Sequence, residues 1–284
     1  MLAYFRAPLS WSALARRTIV ETLDDGCPGL AAQLAFYFLL ALFPALLVLV
    51  SLLTYVDSGP VLARAVAELE GLLPFETVEL VRDGIDEIRA GRHGGLITAA
   101  MAGAIWSSSS ASTAIITALN RAYDIVEWRP WWKRRLVAVT MTIGLALFVV
   151  VAFALVMAGG VTGAWAAQHL GAGALFTRVW PVLQWLLALA LVILAVDLVY
   201  YIAPNAKTEW GWVTPGALLA TALWLAASYG FRLYVTNFDT YTAAHGAIGA
   251  VIVLMLWFYL TGFALLVGAE LNAELEKART VENI

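Results

Sequence analysis

Residues 136–159 read LVAVTMTIGLALFVVVAFALVMAG, with no ionisable side chain anywhere in the stretch. A helix rises about 1.5 Å per residue, so roughly 20 apolar residues cross the hydrocarbon of a bilayer. A helix of that length in water would show a polar face at helical period; this one does not. It is read as a transmembrane span, and the rest of the chain is read outward from it.

Five other stretches meet the same test: Leu30 to Val56, Gly95 to Leu119, Val179 to Ala203, Gly211 to Phe231 and Gly246 to Ala269. Across all six spans Asp197 is the only charged residue. The composition agrees, with 62% hydrophobic and 13% charged residues in a chain of 284 and a mean hydropathy of +0.83. Soluble domains average about 25% charged residues, so this chain has too little polar surface to face water all round. The expectation is an all-α integral membrane protein, residues 1–284 forming one polytopic domain of six spans.

Immediately before residue 136 stands EWRPWWKRR, residues 127–135, placed as a loop between spans two and three. Tryptophan favours the membrane interface, and each Lys or Arg there meets anionic headgroups at about 1 kcal/mol. Arg129, Lys133, Arg134 and Arg135 can therefore serve as an anchor or as a headgroup site. Nucleic acid is disfavoured, because Trp beside a span leaves no room for a strand to track and the net charge is -3. The Lys and Arg distribution puts both termini inside: eleven of the seventeen basic residues fall in the segments that this orientation makes cytoplasmic.

At the N-terminus, Trp11, Ala15, Ile19 and Leu23 recur every fourth residue behind Ser10, an N-cap candidate. Arg16 and Arg17 lie off that stripe, the pattern of an interfacial helix. No apolar core with a cleavage site precedes it, so no signal peptide is expected. The segment Asp57 to Gly94 reads as two amphipathic helices split at Leu73-Pro74, forming a cap on the outer surface.

Within the second span, Gly95, Ala99, Gly103, Ser107 and Ala111 form a stripe of small residues that would let another helix approach. Ser107, Ser108 and Ser110 either satisfy themselves on the preceding turn or line a polar pathway. Asp197 is functional or structural in equal measure, with Arg121 and Lys207 as partners. Gln33 is read as a buried polar residue, and Pro44 as a kink and candidate hinge. The single cysteine, Cys27, excludes an intrachain disulfide. His93, His169 and His245 follow no metal-ligand spacing, and no hydrolase, phosphate-loop or paired-carboxylate pattern occurs. No metal, cofactor or enzymatic activity is expected.

The strings LAFYFLLALFPALL, ITALNRAYDIVEWRPWWKRRL and PGALLATALWLAASYGFRLYVTNFDTYTAAHGAIGAVIVLMLWFYLTGFALLVGAELNAEL resemble the YihY/virulence factor BrkB family. The likeness runs from about Ala31 to Glu276 and implies a bacterial inner-membrane protein with six spans. It draws attention to Asn120, Arg121, Tyr123, Asn205, Glu270 and Asn272. Two positions depart from the family pattern: the neutral run Ser107 to Ser110 stands where a basic residue is usual, and His245 precedes Gly246 where Tyr is. An old family label names a tRNA-processing ribonuclease, while some relatives are linked to lipid A precursor export.

The leading expectation is a transporter or flippase-like protein for an anionic lipid, its headgroups gathered at the cytoplasmic face. A groove of Asn120, Arg121, Asp197, Glu270 and the serines would let them cross. The alternatives are a non-transporting envelope scaffold and, behind it, an RNA-processing nuclease. A homo-oligomer is compatible with either of the first two.

Overall fold

A computed structural model describes residues 10–55, 94–169, 173–206, 213–237 and 239–282. Seven helices form among these residues: α1 (Trp11–Asp24), α2 (Cys27–Tyr55), α3 (Gly94–Ala122), α4 (Trp131–His169), α5 (Gly173–Ile202), α6 (Pro215–Asn237) and α7 (Asp239–Glu282). No strand occurs among them. The expected outer cap and Lys207 lie outside the described residues, as does His93.

Ser10 caps α1, its hydroxyl accepting from the Ala13 backbone N–H at 3.3 Å. The apolar stripe is not what packs on the protein: Trp11, Ile19 and Leu23 are more than half exposed, while Leu14, Thr18 and Thr22 turn inward. Leu14 meets Leu271 and Leu275 of α7. Thr18 and Thr22 pack here because each hydroxyl donates to the carbonyl four residues back, at 3.0 and 2.6 Å. The outward stripe is thus left free to meet lipid. Gly26, at φ +67, makes the corner at which α1 and the Cys27–Leu42 part of α2 diverge by 64°.

Among the described residues four helical segments are long and apolar enough to cross a bilayer: Trp131–Ala152, Val182–Ile202, Pro215–Tyr234 and Val251–Thr280. The bent pair of α1 and α2 makes a fifth if it counts as one span. The serine-bearing α3 is not among them. Only 11% of the best window in Trp131–Ala152 is buried, and Ile143, Leu147, Trp185 and Leu186 all point outward. Apolar side chains on the outside of a helical bundle require lipid as the solvent.

The interior is built from small residues. Ala31, Ala118, Ala122, Ala138, Ala203, Ala217 and Ala269 are nearly or wholly inaccessible, with Ile116, Leu119 and Leu266 filling between them. Helices in lipid associate through such close backbone approach. The tightest crossing joins α6 to α7. A Cβ on Gly268 would collide with the Gly216 carbonyl and the Tyr200 hydroxyl, and would lie 2.8 Å from Ala220 Cβ. The expected stripe on α3 divides: Gly103 has open space where its Cβ would be and Ser107 is exposed, whereas Ala111 is buried, and the burial of Gly95 and Ala99 lies outside the described residues. With Ala111, α3 buries Ser108, Ser109, Ser112, Ile116 and Leu119.

Helix ends differ from expectation in three places. The loop reading of residues 127–135 is corrected: α4 already begins at Trp131, since proline is tolerated just ahead of the first turn. Lys133, Arg134 and Arg135 therefore project from a helix. The fifth stretch starts its helix at Pro215 rather than Gly211, after a threonine cap. The last helix runs to Glu282, so Glu270 and Asn272 stand in mid-helix. Pro44 lies inside α2, which continues through it to Tyr55.

Candidate functional site

The ends of α3 and α5 meet the α3–α4 loop in a buried polar web. The backbone turns out of α3 at Asp124, the one non-glycine residue with positive φ (54) among those described. That conformation is tolerated by aspartate. It brings the Ile125 N–H to the Asn120 carbonyl at 2.8 Å and swings Glu127 back over α3. Asn120, 5% exposed, donates from Nδ2 to Glu127 Oε2 at 2.9 Å. Its Oδ1 accepts from the Asn205 N–H at 2.8 Å. Arg129 donates to both Glu127 oxygens, at 2.8 and 2.9 Å, and to the Ala203 carbonyl at 2.7 Å. Burial alone would raise the Glu127 carboxyl, but hydrogen bonds from the Arg129 side chain and backbone and from Asn120 outweigh it. The group is held below its ordinary range.

A second knot sits at the start of α6. Thr214 Oγ1 accepts from the Ala217 N–H at 3.2 Å, an N-cap, and donates to Asp197 Oδ1 at 2.5 Å. The same carboxylate oxygen accepts from the Thr214 N–H at 3.1 Å. Asn272 of α7 donates to Thr214 Oγ1 at 3.0 Å and accepts from the Gly216 N–H at 2.8 Å. Asp197 thus holds a helix N-terminus, where the orphan donors and the helix dipole favour a carboxylate. Its expected partner Arg121 is elsewhere, on Asp25 at 3.1 Å. The reading that Asp197 pairs with Arg121 is corrected accordingly: that guanidinium is 61% exposed, whereas Asp197 is buried at 2%.

Glu270, fully buried, accepts from the Cys27 thiol at 3.3 Å. Near it, Lys277 bridges Asp124 and Glu274 at 2.9 and 2.8 Å. Most polar side chains of this end bond to another, with one oxygen each of Asp25, Asp197 and Glu270 buried and unpartnered. Of the expected groove, Asn120 sits in the first knot with Asn205, Asp197 in the second with Asn272 through Thr214, and Glu270 on Cys27. Among the described residues no group of three His, Cys, Asp or Glu could hold a metal ion.

A different feature is open to the outside. Between α2, α3 and α4 lies a crevice of about 240 Å³ lined by Gln33, Tyr37, Ser110, Thr113, Ala114, Thr117, Arg134 and Arg135. No carboxylate lines it among the described residues. Arg134 donates to the Thr113 carbonyl at 3.4 Å and to the Thr117 hydroxyl. Arg135 donates to the Trp106 carbonyl and stacks its guanidinium 4.1 Å from the Trp106 ring centroid. The Nε atoms of both arginines are buried with no hydrogen-bond partner. Trp106 packs on Trp131 with ring centroids 6.3 Å apart, and Trp128, Trp131 and Trp132 are all exposed. Lys133 lies over Trp132 at 5.3 Å.

The expectation that Gln33 is buried is overturned: it is exposed at the mouth of this crevice. The serine run divides. Ser109 bonds back to the Trp106 carbonyl at 2.7 Å, Ser108 approaches the Ala41 carbonyl at 3.5 Å, Ser107 is exposed, and Ser110 alone reaches the crevice. Tyr37 and Thr117 were not foreseen, although Ser110, Thr113 and Thr117 repeat at helical spacing and Tyr37 follows Gln33 by one turn. Thr214 and Glu127 were missed too; a threonine directly before Pro-Gly is a recognisable cap signal.

Apolar outward faces around small-residue crossings, tied at one end by buried hydrogen bonds, define a multi-helix membrane protein. The family model described as virulence factor BrkB matches residues 18–283, and the chain belongs to that family. Among curated relatives, a protein of Bacillus subtilis named as ribonuclease-like YfkH is 36% identical over 91% of this chain and 93% of its own. UPF0761 membrane proteins of Paraburkholderia xenovorans and Ralstonia nicotianae are 27% and 29% identical, covering 94% and 93% of this chain. The chain spans 60% and 58% of those two longer relatives. No solved structure matches it.

Proposed function

We propose that this membrane protein moves an anionic lipid or similar amphiphile between leaflets, engaging the headgroup in the α2–α3–α4 crevice. The observation that carries this reading is Arg134 and Arg135 side by side in a crevice with hydroxyls and no acid, flanked by exposed tryptophans. Two guanidiniums without a carboxylate are suited to a bidentate anion. In this reading the protein lies in the bacterial inner membrane with six spans in a single domain, α2 to α7, α1 lying at the interface and both termini in the cytoplasm. On the same reading it acts without catalysing a reaction: the ribonuclease-like name belongs to the Bacillus relative, and among the described residues the carboxylates of Glu127 and Asp197 are held by Arg129, Asn120 and Thr214.

The test is reconstitution into vesicles containing fluorescent anionic or zwitterionic lipid. Anionic lipid should equilibrate between leaflets faster than in empty vesicles, and R134Q/R135Q should abolish the difference. A rate equal to that of empty vesicles, with folded protein confirmed, would sink the reading.

A second reading, a non-transporting scaffold of the envelope, is favoured by one observation. Polar residues expected to line a crossing path are bound up in packing: Asn120 with Asn205 and Glu127, Asp197 with Thr214, and Glu270 with Cys27. It is tested by cross-linking in native membranes, where a discrete partner or a second copy should appear at the exposed faces of α4 and α5.

A further inference from the structure

We infer that the crevice selects a compact phosphate headgroup, of the phosphatidate or phosphatidylglycerol kind, and refuses the bulky sugar headgroup of a saccharolipid. The inference rests on the anionic-lipid reading above and names which anion fits. Size comes first. Small-molecule pockets occupy about 300–1,000 Å³, and this crevice offers about 240 Å³. A phosphate with a short substituent is held within such a space, whereas a phosphorylated disaccharide would stand largely outside its mouth, away from these donors.

The donors fit the same ligand. Arg134 and Arg135 each spend one Nη group on a carbonyl or hydroxyl of α3, and the other Nη of each bonds to no described residue; their Nε atoms are enclosed and take no part. The side chains of Gln33, Tyr37 and Ser110 line the same space and hydrogen-bond to no other described residue, leaving an amide and two hydroxyls for the remaining phosphate oxygens. A tetrahedral anion with three or four acceptor atoms uses this set; a lone carboxylate leaves donors over, and leaving donors unmet is costly in a site shielded from water.

The surroundings argue for a lipid and not for free phosphate. Phe36 and Leu40 of α2, about half exposed, continue the Gln33–Tyr37 face away from the crevice, and Trp106 is 52% exposed on the α3 side. An amphiphile with its phosphate on the arginines would lay its chains over these side chains. Inorganic phosphate gains nothing from them.

Native mass spectrometry of the whole protein in detergent, titrated with dioleoyl lipids, tests the inference. Phosphatidate and phosphatidylglycerol should bind at least about tenfold more tightly than phosphatidylcholine or a phosphorylated disaccharide lipid. Millimolar inorganic phosphate should compete only weakly. R134Q/R135Q should erase the preference, and S110L, which fills the crevice with both charges kept, should weaken compact and bulky headgroups to the same low level. Unchanged helix content and monodispersity of S110L guard against misfolding. Equal binding of all headgroups, tighter binding of the saccharolipid, or full competition by free phosphate would each overturn the inference. Selective binding without leaflet exchange would retain it while defeating the transport reading; exchange of saccharolipid without selective binding would do the reverse.

Discussion

Glu127 and Arg129 face each other across two parallel hydrogen bonds, Nε to Oε1 at 2.8 Å and Nη2 to Oε2 at 2.9 Å, and the same arginine closes on the Ala203 carbonyl. Two residues apart in sequence, they join a loop to the end of α5.

The pair gives acid sensitivity with a definite sign. The folded state holds the Glu127 carboxyl below its usual value, so its contribution is complete above the unfolded pKa of about 4.3 and fades as pH falls through the lower folded value. Thermal stability in detergent should be level from neutrality to about pH 4.5 on this account, then decline. E127Q should lower stability at pH 7 and show a shallower decline below pH 4. An equally steep acid decline in E127Q would refute the assignment.

The α6–α7 crossing depends on the absence of two methyl groups. G268A places a Cβ against the Gly216 carbonyl and the Tyr200 hydroxyl, and G216A places one against the Gly268 carbonyl and Asn272. Backbone atoms cannot step aside cheaply, so each should cost about 1–3 kcal/mol. G103A, with open space around it, should be neutral or gain up to about 1 kcal/mol from helix propensity. Denaturation midpoints of the three variants distinguish a local clash from a general intolerance of alanine.

Thr214 serves α6 and Asp197 together. T214A should lose a cap worth about 1 kcal/mol and, by leaving the buried Asp197 carboxylate with only the residue-214 backbone N–H as donor, about 1–3 kcal/mol more. T214S keeps the hydroxyl and should recover most of this. If T214A and T214S unfold alike, the hydroxyl is not what holds the joint.

Cys27 is the chain's only thiol and is 0% exposed beside Glu270. A membrane-permeant maleimide should leave the folded protein unmodified and label it fully once SDS has opened the bundle. Rapid labelling in native membranes would show that α2 and α7 separate there.

Four of the six expected spans recur among the described residues as helices able to cross a bilayer, legible as nearly charge-free runs because lipid imposes a simple rule on composition, and Ser10 could be read as a cap because its partner lies three residues on. Asp197 shows the limit. Its isolation among apolar residues marked it, but its partner Thr214 is seventeen positions away and neutral, so a search for opposite charge led to Arg121. Gln33 shows another: a glutamine in an apolar helix looks buried until the neighbouring helix is seen to bring two arginines to the same opening. Arg134 and Arg135 were legible as a cluster, whereas the hydroxyls of α3 that face them were set by how two helices cross.

At 1.5 Å per residue, the 44 residues of α7 make a rod of about 66 Å, more than twice the roughly 30 Å of a hydrocarbon layer. Standing upright with Val251 at one boundary, it would emerge at about Glu270. That is the level at which Cys27, Asn272 and Thr214 gather. The chain thus has a built-in depth gauge, in which the last long rod sets how far the knotted end stands from the oily midplane.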